Sequence, residues 1–477
     1  MEHTVKHSHT QAVSPERGWL ERIGLIGLSA IEPPLLAALV TGSPLLLIGP
    51  HGTAKTLLLT RVAQALGLSC RHYNASLLNF DDLVGFPMPD KHGGLQYVRT
   101  PASIWGAGAV IFDEISRCRP DIQNKLFPII HERRVQGIAL EELRYRWAAM
   151  NPPSTEDDDH DNGYAGSEPL DAALADRFAF VVEMPGWSSF TTAQQLAVIR
   201  SDDQPVAEAD AAYLRETLAR ATQLLETLSE EFAQGVARYV QTVVALLAQA
   251  GLSLSPRRAS LLYRGVLATN AAALALDPGA EASDATLLAL RCSLPQRAQG
   301  LPVPELKLLA AHREAMRSAQ LSAHDPLHAI LCTANPLERL QMAVRATSLP
   351  KAEFSRVAAD ALAQLPHGAR EAAIAHLFET GAVGRLTAAI AAQAGDSYRD
   401  LASPVAFSES IHAFHVRYAT WSRVKDLLSR LDPAQPRAHL QANAVASLFA
   451  RKLLQTPKDA QEAFEAFARA VQLLRPA

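Results

Sequence analysis

The stretch Leu45-Leu46-Leu47-Ile48-Gly49-Pro50-His51-Gly52-Thr53-Ala54-Lys55-Thr56 decides the fold of this chain. Four consecutive apolar residues closed by Gly49 and Pro50 read as a short strand buried on both faces, as in a parallel sheet. Thr56 to Leu66 carries apolar residues at helical spacing and stops at Gly67, and Cys70 to Ala75 reads as the next strand. Strand, loop, helix and strand make a βαβ unit. Its loop, Gly49 to Ala54, brings backbone N–H groups to a helix N-terminus, where a polyphosphate can be cradled. Lys55 then reaches the outer phosphates, and the Thr56 hydroxyl is placed to ligate Mg²⁺. The strict pattern has glycine where Ala54 stands.

Downstream, Ala107 to Phe112 is a second apolar strand, and Asp113-Glu114 follows at its C-terminal end, where ligands of parallel sheets bind. Asp113 suits the shell of a Mg²⁺ ion; Glu114 suits the orientation and polarisation of an attacking water. Trp147 to Met150 reads as another strand, ended by Asn151-Pro152-Pro153, and Phe178 to Val182 as a further one. Strands alternating with helices predict an α/β core over residues 20–187, behind a flexible end at 1–19. From 188 onward the strands disappear. Alanine- and leucine-rich amphipathic segments such as Tyr213–Leu228 and Glu230–Ala250 predict an all-α lid over 188–300. Past the proline-bearing stretch Pro295–Pro304, residues 301–477 are expected to form a further, mainly helical C-terminal domain that binds partners.

At 477 residues the chain has room for about three domains at roughly 150 residues each. Lys and Arg number 45 against 49 Asp and Glu, so no global positive charge draws the chain to nucleic acid or to an anionic membrane. Cys70, Cys118, Cys292 and Cys332 are widely spaced, which suggests neither a zinc site nor a disulfide framework. The start lacks an apolar signal core, so a cytoplasmic location is expected. His3, His7 and His9 read as part of a loose terminus, and Glu156-Asp157-Asp158-Asp159-His160-Asp161 as a solvated acidic loop lacking the spacing of a calcium loop.

The order of these motifs resembles the MoxR family of AAA+ ATPases, which carries an alanine before the motif lysine. The likeness extends over about residues 20–265. It includes Asn79-Phe80-Asp81-Asp82-Leu83-Val84-Gly85-Phe86, Gly93-Gly94-Leu95-Gln96-Tyr97 and Thr100-Pro101-Ala102, which look like that family's insert within the second helix. It continues through Asp113-Glu114-Ile115-Ser116-Arg117 and Ile130-His131-Glu132-Arg133-Arg134-Val135. The resemblance implies ATP and Mg²⁺ as cofactors and hydrolysis of ATP to ADP and phosphate. It matches Asn151 to the sensor 1 position and Arg177, in Asp176-Arg177-Phe178, to an arginine finger supplied by the neighbouring subunit. Ser255-Pro256-Arg257 matches the sensor 2 signature, with Arg258 as a rival for the same role.

A trans arginine implies a homo-oligomeric ring, most often a hexamer, and family members typically remodel, mature or activate client complexes with a von Willebrand factor A domain partner. No residue identifies the client. A nucleotide-gated scaffold with slow turnover stays open as an alternative, as does a nucleic-acid motor, against which the net charge weighs.

Overall fold

The computed structural model describes residues 17–89, 95–153, 167–201, 204–322, 325–403, 411, 415–435 and 437–474. The three N-terminal histidines, Gly93, Gly94 and the acidic run Glu156–Asp161 lie outside the described residues. Five strands, β1 (Leu45–Ile48), β2 (Cys70–Asn74), β3 (Ala109–Asp113), β4 (Tyr145–Met150) and β5 (Phe180–Glu183), form one parallel sheet. Their order is β2-β3-β4-β1-β5. Each lies within two residues of the ends expected from sequence.

The longer helices of this part are α1 (Glu32–Thr41), α2 (Lys55–Ala65), α3 (Pro120–Glu132), α4 (Glu208–Glu231), α5 (Ala233–Gln249), α6 (Pro256–Leu276), α7 (Ala282–Arg291) and α8 (Glu305–Gln320). Side chains alternate across a strand, so β1 supplies two cores at once. Leu45 and Leu47 pack with residues of α1, α2, α4 and α6, whereas Leu46 and Ile48 pack on the other face with Ile122, Leu126, Ile129 and Ile130 of α3. Burial on both faces explains why β1 is a continuous apolar run.

Two short antiparallel hairpins, Phe86–Pro89 with Leu95–Val98 and Arg134–Val135 with Ile138–Ala139, were not expected from sequence. Pro87 and Pro89 obscure the first, and two-residue strands carry too little periodicity to betray the second. The Tyr97 hydroxyl donates to the Gln136 side chain and ties one hairpin to the other.

Among the described helices, α6 alone is long and apolar enough to cross a membrane. It packs on α1, α4 and α7.

The chain divides into two compact units, one comprising residues up to 247 with 252–319, the other 248–251 with 320–477. α8 buries Leu308, Ala311 and Ala315 among Tyr239, Val243 and Leu262, so it belongs to the first unit. The division therefore falls one helix beyond the proline-bearing stretch 295–304. The second unit is helical throughout its described elements, around a core that includes Phe354, Val357, Leu377 and Phe467. Gly368 has φ +84°, and a Cβ there would lie 2.0 Å from the Ala463 carbonyl oxygen, so glycine allows the helices Ala369–Glu379 and Pro457–Leu473 to meet.

Glu32, at the first turn of α1, is only 6% exposed and accepts the Leu20 N–H at 2.8 Å. Burial pushes its carboxyl up from 4.5 to about 7. A raised carboxyl means the folded protein holds a proton that the unfolded chain releases, so stability falls as pH rises between these values and stays low above them. Glu32→Gln should remove that loss. Relative to wild type its stability should rise by up to ~3 kcal/mol at pH 8, with a much smaller gain at pH 5, in denaturant melts at the two pH values.

Candidate functional site

The loop between β1 and α2 is shaped by close approach and by turn geometry. A Cβ at Gly49 would meet Met184 Cβ and Thr53 Oγ1 at 2.8 Å, and Thr53 Oγ1 donates to the Pro50 carbonyl at 2.8 Å. Gly52 has φ +73° and, like His51, is exposed. Ala54, immediately before α2, has φ +61°. Left-handed backbone costs an L-residue roughly 1–2 kcal/mol, which is why the pattern favours glycine here. No side chain caps α2, so its first N–H groups point toward the loop without a protein side-chain acceptor. An anion suits that end.

Lys55 is 8% exposed. Its Nζ donates to the Gly49 carbonyl at 2.7 Å, to the Pro50 carbonyl at 2.9 Å and to Asn151 Oδ1 at 3.1 Å. Burial lowers its pKa, and the charges of Asp113 and Glu114 oppose that shift. Parallel pairing sets Ile48 beside Met150, so the residues that follow, Gly49 and Asn151, emerge side by side from β1 and β4. Asn151, fully buried, turns its oxygen to the ammonium and its Nδ2 to the two Glu114 carboxylate oxygens, each at 3.4 Å.

Thr56 Oγ1 donates to Asp113 Oδ2 at 2.7 Å, and His72 Nε2 lies 3.5 Å from the same oxygen. Burial raises the Asp113 carboxyl, yet hydrogen bonds from His72, Thr56 and the Glu114 N–H outweigh it and hold the group below the usual carboxylate range. An ionised carboxylate beside a hydroxyl is a donor pair suited to a hard cation such as Mg²⁺. No group of three or more His, Cys, Asp or Glu side chains placed to hold a metal occurs among the described residues. Glu114 has φ +54°, a rare backbone for glutamate that turns the chain sharply at the strand end, and Arg117 Nε lies 3.2 Å from its carboxylate. Sequence reasoning missed His72 and Arg117. Arg117 lies in the family-like stretch Asp113–Arg117 but had no role assigned to it, and His72 belongs to no motif; it reaches Asp113 only because β2 lies beside β3.

Lys55, Thr56, Asp113, Glu114 and Asn151 thus converge. Arg177 does not join them: among the described residues its contacts are a hydrogen bond from Nη1 to the Ala173 carbonyl at 2.6 Å and the Phe127 ring, 4.4 Å beneath its guanidinium. Burial and the neighbouring Arg257 lower its pKa, against the pull of Asp176, Glu132 and Asp171.

The two candidates at the start of α6 are placed differently. Arg258 is 0% exposed and donates to the carbonyls of Phe178 at 2.7 Å, Ala175 at 3.1 Å and Ala179 at 3.2 Å. Burial lowers its pKa to about 10. Arg257 is 40% exposed and pairs with Asp176 Oδ2 at 3.2 Å. A guanidinium tied to three buried carbonyls is a structural member, whereas Arg257 keeps surface free for a ligand. Arg258→Ala should therefore cost about 3 kcal/mol or more, because three buried acceptors lose their donor. Arg257→Ala should cost under ~1 kcal/mol, as expected of an exposed ion pair. Thermal and denaturant melts of the two variants check the contrast.

Comparison with known proteins agrees with this geometry. Residues 44–178 match the family model described as an AAA domain of the dynein-related subfamily. A solved structure of an ATPase candidate from Cytophaga hutchinsonii is 18% identical, covers 64% of this chain and 94% of its own, and superposes with a TM-score of 0.43. At that level it adds nothing to the fold already described. No curated protein matches the chain. The stretch that holds β1, the loop Gly49–Ala54, Asp113-Glu114 and Asn151 is an AAA domain that binds ATP, and the chain is an ATPase.

Proposed function

We propose that this ATPase is a MoxR-type AAA+ motor that works as a homo-oligomeric ring in the cytoplasm and remodels or matures a client protein complex. The observation that carries the reading is the connected set Lys55–Asn151–Glu114 beside Thr56–Asp113, from which Arg177 stands apart. The set holds the groups needed to bind a triphosphate and to activate water. The arginine lying outside it would serve a neighbour's nucleotide. A hexamer is the ring size that suits the family likeness, with a von Willebrand factor A domain protein as partner.

In the proposed reaction the uncapped start of α2 and Lys55 hold the phosphates, and Glu114 orients the attacking water and takes its proton. Thr56 and Asp113 would hold Mg²⁺, which supplies charge neutralisation to the phosphate oxygens when bound. Asn151, placed between Lys55 and Glu114, would pass the presence of the outer phosphate to the water-activating carboxylate. Arg177 would neutralise charge that develops on the phosphate across the subunit boundary.

Work on a polypeptide is supported by the hairpin Phe86–Pro89 with Leu95–Val98. Phe86, Met88 and Val98 are about half exposed on it, and Phe86 pairs with Val98 across the strands. Clustered exposed apolar side chains suit protein contact better than contact with a phosphate backbone.

Lys55→Ala should abolish tight ATP binding, whereas Glu114→Gln should bind ATP and lose turnover by orders of magnitude, because the lysine acts in the ground state and the carboxylate on the water. Equilibrium binding of a fluorescent ATP analogue and steady-state phosphate release separate the two. Normal turnover by Glu114→Gln would remove it from the catalytic role.

Arg177→Ala should bind nucleotide nearly normally and hydrolyse it roughly 10³-fold more slowly. Mixing Arg177→Ala with Glu114→Gln protein should restore measurable activity, since some interfaces then hold both native groups. Mixed rings confirmed by mass spectrometry that stay at the parental level would count against action across the interface.

A further inference from the structure

Glu114 and Asn151 stand past the ends of neighbouring strands, where the sheet no longer fixes one against the other. The pairing of β3 with β4 stops at Phe112 beside Ala148, short of both residues. Asn151 is tied toward β1, through Lys55 Nζ at 3.1 Å and through the Gly49 N–H, which donates to the Met150 carbonyl at 3.2 Å. Glu114 is tied to its own turn, since Arg117, whose Nε lies 3.2 Å from the carboxylate, belongs to the 3-10 turn Ile115–Arg117 that follows it. The two side chains meet through Asn151 Nδ2, at 3.4 Å from each carboxylate oxygen, the long limit of hydrogen bonding. A buried hydroxyl spans the same gap through the backbone. Ser167, 0% exposed, donates to the Asn151 carbonyl at 3.1 Å, and its Oγ lies 3.3 Å from that of Ser116, itself buried. A hydroxyl has one proton to give, and Ser167 has given its own to the carbonyl, so Ser116 is the donor in the second bond.

We propose that Ser167 is a positioning residue for the water-activating pair, a role that rests on the reading of Glu114 and Asn151 given above: its hydroxyl joins the Asn151 backbone to the turn that carries Glu114 and so sets how the amide stands against the carboxylate. The contacts form a closed ring. From Glu114 the chain runs through Ile115 to Ser116, passes from hydroxyl to hydroxyl to Ser167 and on to the Asn151 carbonyl, and the Asn151 amide returns to Glu114. Cut at Ser167, the ring leaves two long contacts to hold the pair in register. Closed, it adds a second path made of buried hydroxyls, where reduced dielectric strengthens each bond and successive donors polarise one another. A consequence follows for the loaded site. When Lys55 turns to the phosphates, Asn151 loses its side-chain tie toward β1, yet its backbone stays pinned by Ser167 and the amide stays beside Glu114.

The test uses the full-length chain. Ser167→Ala should lower kcat by about 10-fold, the scale of a slightly misplaced catalytic group, while KM for ATP stays within about 2-fold of wild type. The melting temperature should fall by no more than a few degrees, as the loss of one buried hydroxyl implies. Ile129→Val, a buried change of comparable cost in the same core, should keep wild-type kcat. Ser116→Ala opens the ring at the neighbouring link and should lower kcat in the same way with KM unchanged. In an Asn151→Ala background with residual activity, Ser167→Ala should change kcat less than ~2-fold further, because a residue that acts through the Asn151 amide has nothing more to lose. Wild-type kcat in Ser167→Ala, an equal kcat loss in Ile129→Val, or a full multiplicative loss in the Asn151→Ala background would each overturn the proposal. Should Ser167→Ala not assemble, wild-type kcat in Ser116→Ala overturns it instead. If Asn151→Ala itself turns over normally, the reading of Asn151 fails. If Asn151→Ala loses turnover while Ser167→Ala keeps it, only the positioning role of Ser167 fails.

Discussion

A buried ammonium must find acceptors, and the Lys55 side chain finds them in the loop that precedes it and at Asn151, just past the end of β4. Two of its three hydrogen bonds go to the carbonyls of Gly49 and Pro50, which fold the loop around the charge. The third goes to Asn151, and it exists only because β1 and β4 lie side by side with Ile48 opposite Met150. From Asn151 the contact passes to Glu114 at the end of β3, the neighbour of β4 on its other side. The sheet order is thus the constraint on which the site depends. The ends of β1, β3 and β4 are drawn to one point, where Lys55, Glu114 and Asn151 meet, and the positive-φ turn at Glu114 brings the carboxylate to it.

The same economy governs Thr56 and Asp113. Thr56 and Asp113 are joined by a hydrogen bond of 2.7 Å, and Asp113 stays ionised despite burial because three donors converge on it. A site that keeps its carboxylate charged before a cation arrives is ready for one. His72 contributes to that charge without belonging to any motif, as a residue of the edge strand β2 facing its neighbour.

Arg177 belongs to a second structural group, organised by the start of α6 rather than by the sheet. One consequence concerns the adjacent arginines at 257 and 258. Helical rotation turns one guanidinium inward to three carbonyls and leaves the other at the surface beside Asp176. A one-residue difference separates a structural cation from one with surface free for a ligand.

Much of this was legible in the chain of residues alone. Leu45 to Ile48 could be read as a strand buried on both faces because four successive side chains, alternating between two cores, all had to be apolar. Gly49 to Thr56 could be read as a phosphate loop because few residue types tolerate the close approach at Gly49 or the left-handed turns at Gly52 and Ala54. Asp113, Glu114 and Asn151 announced themselves as polar residues at the ends of apolar strands. What stayed hidden was whatever depended on neighbours distant in sequence. The choice between Arg257 and Arg258 required knowing that Phe178 and Ala179 lie against the start of α6. The parts played by His72 and Arg117 required the order of the strands and the turn at Glu114. The sequence by itself determined the α/β core, its phosphate loop and the identity of its acid and cationic groups, because local geometry restricts which residues can stand there. Only the tertiary structure decided which of those groups share a hydrogen-bonded network, because strand order and helix docking bring together residues whose separation along the chain carries no signal.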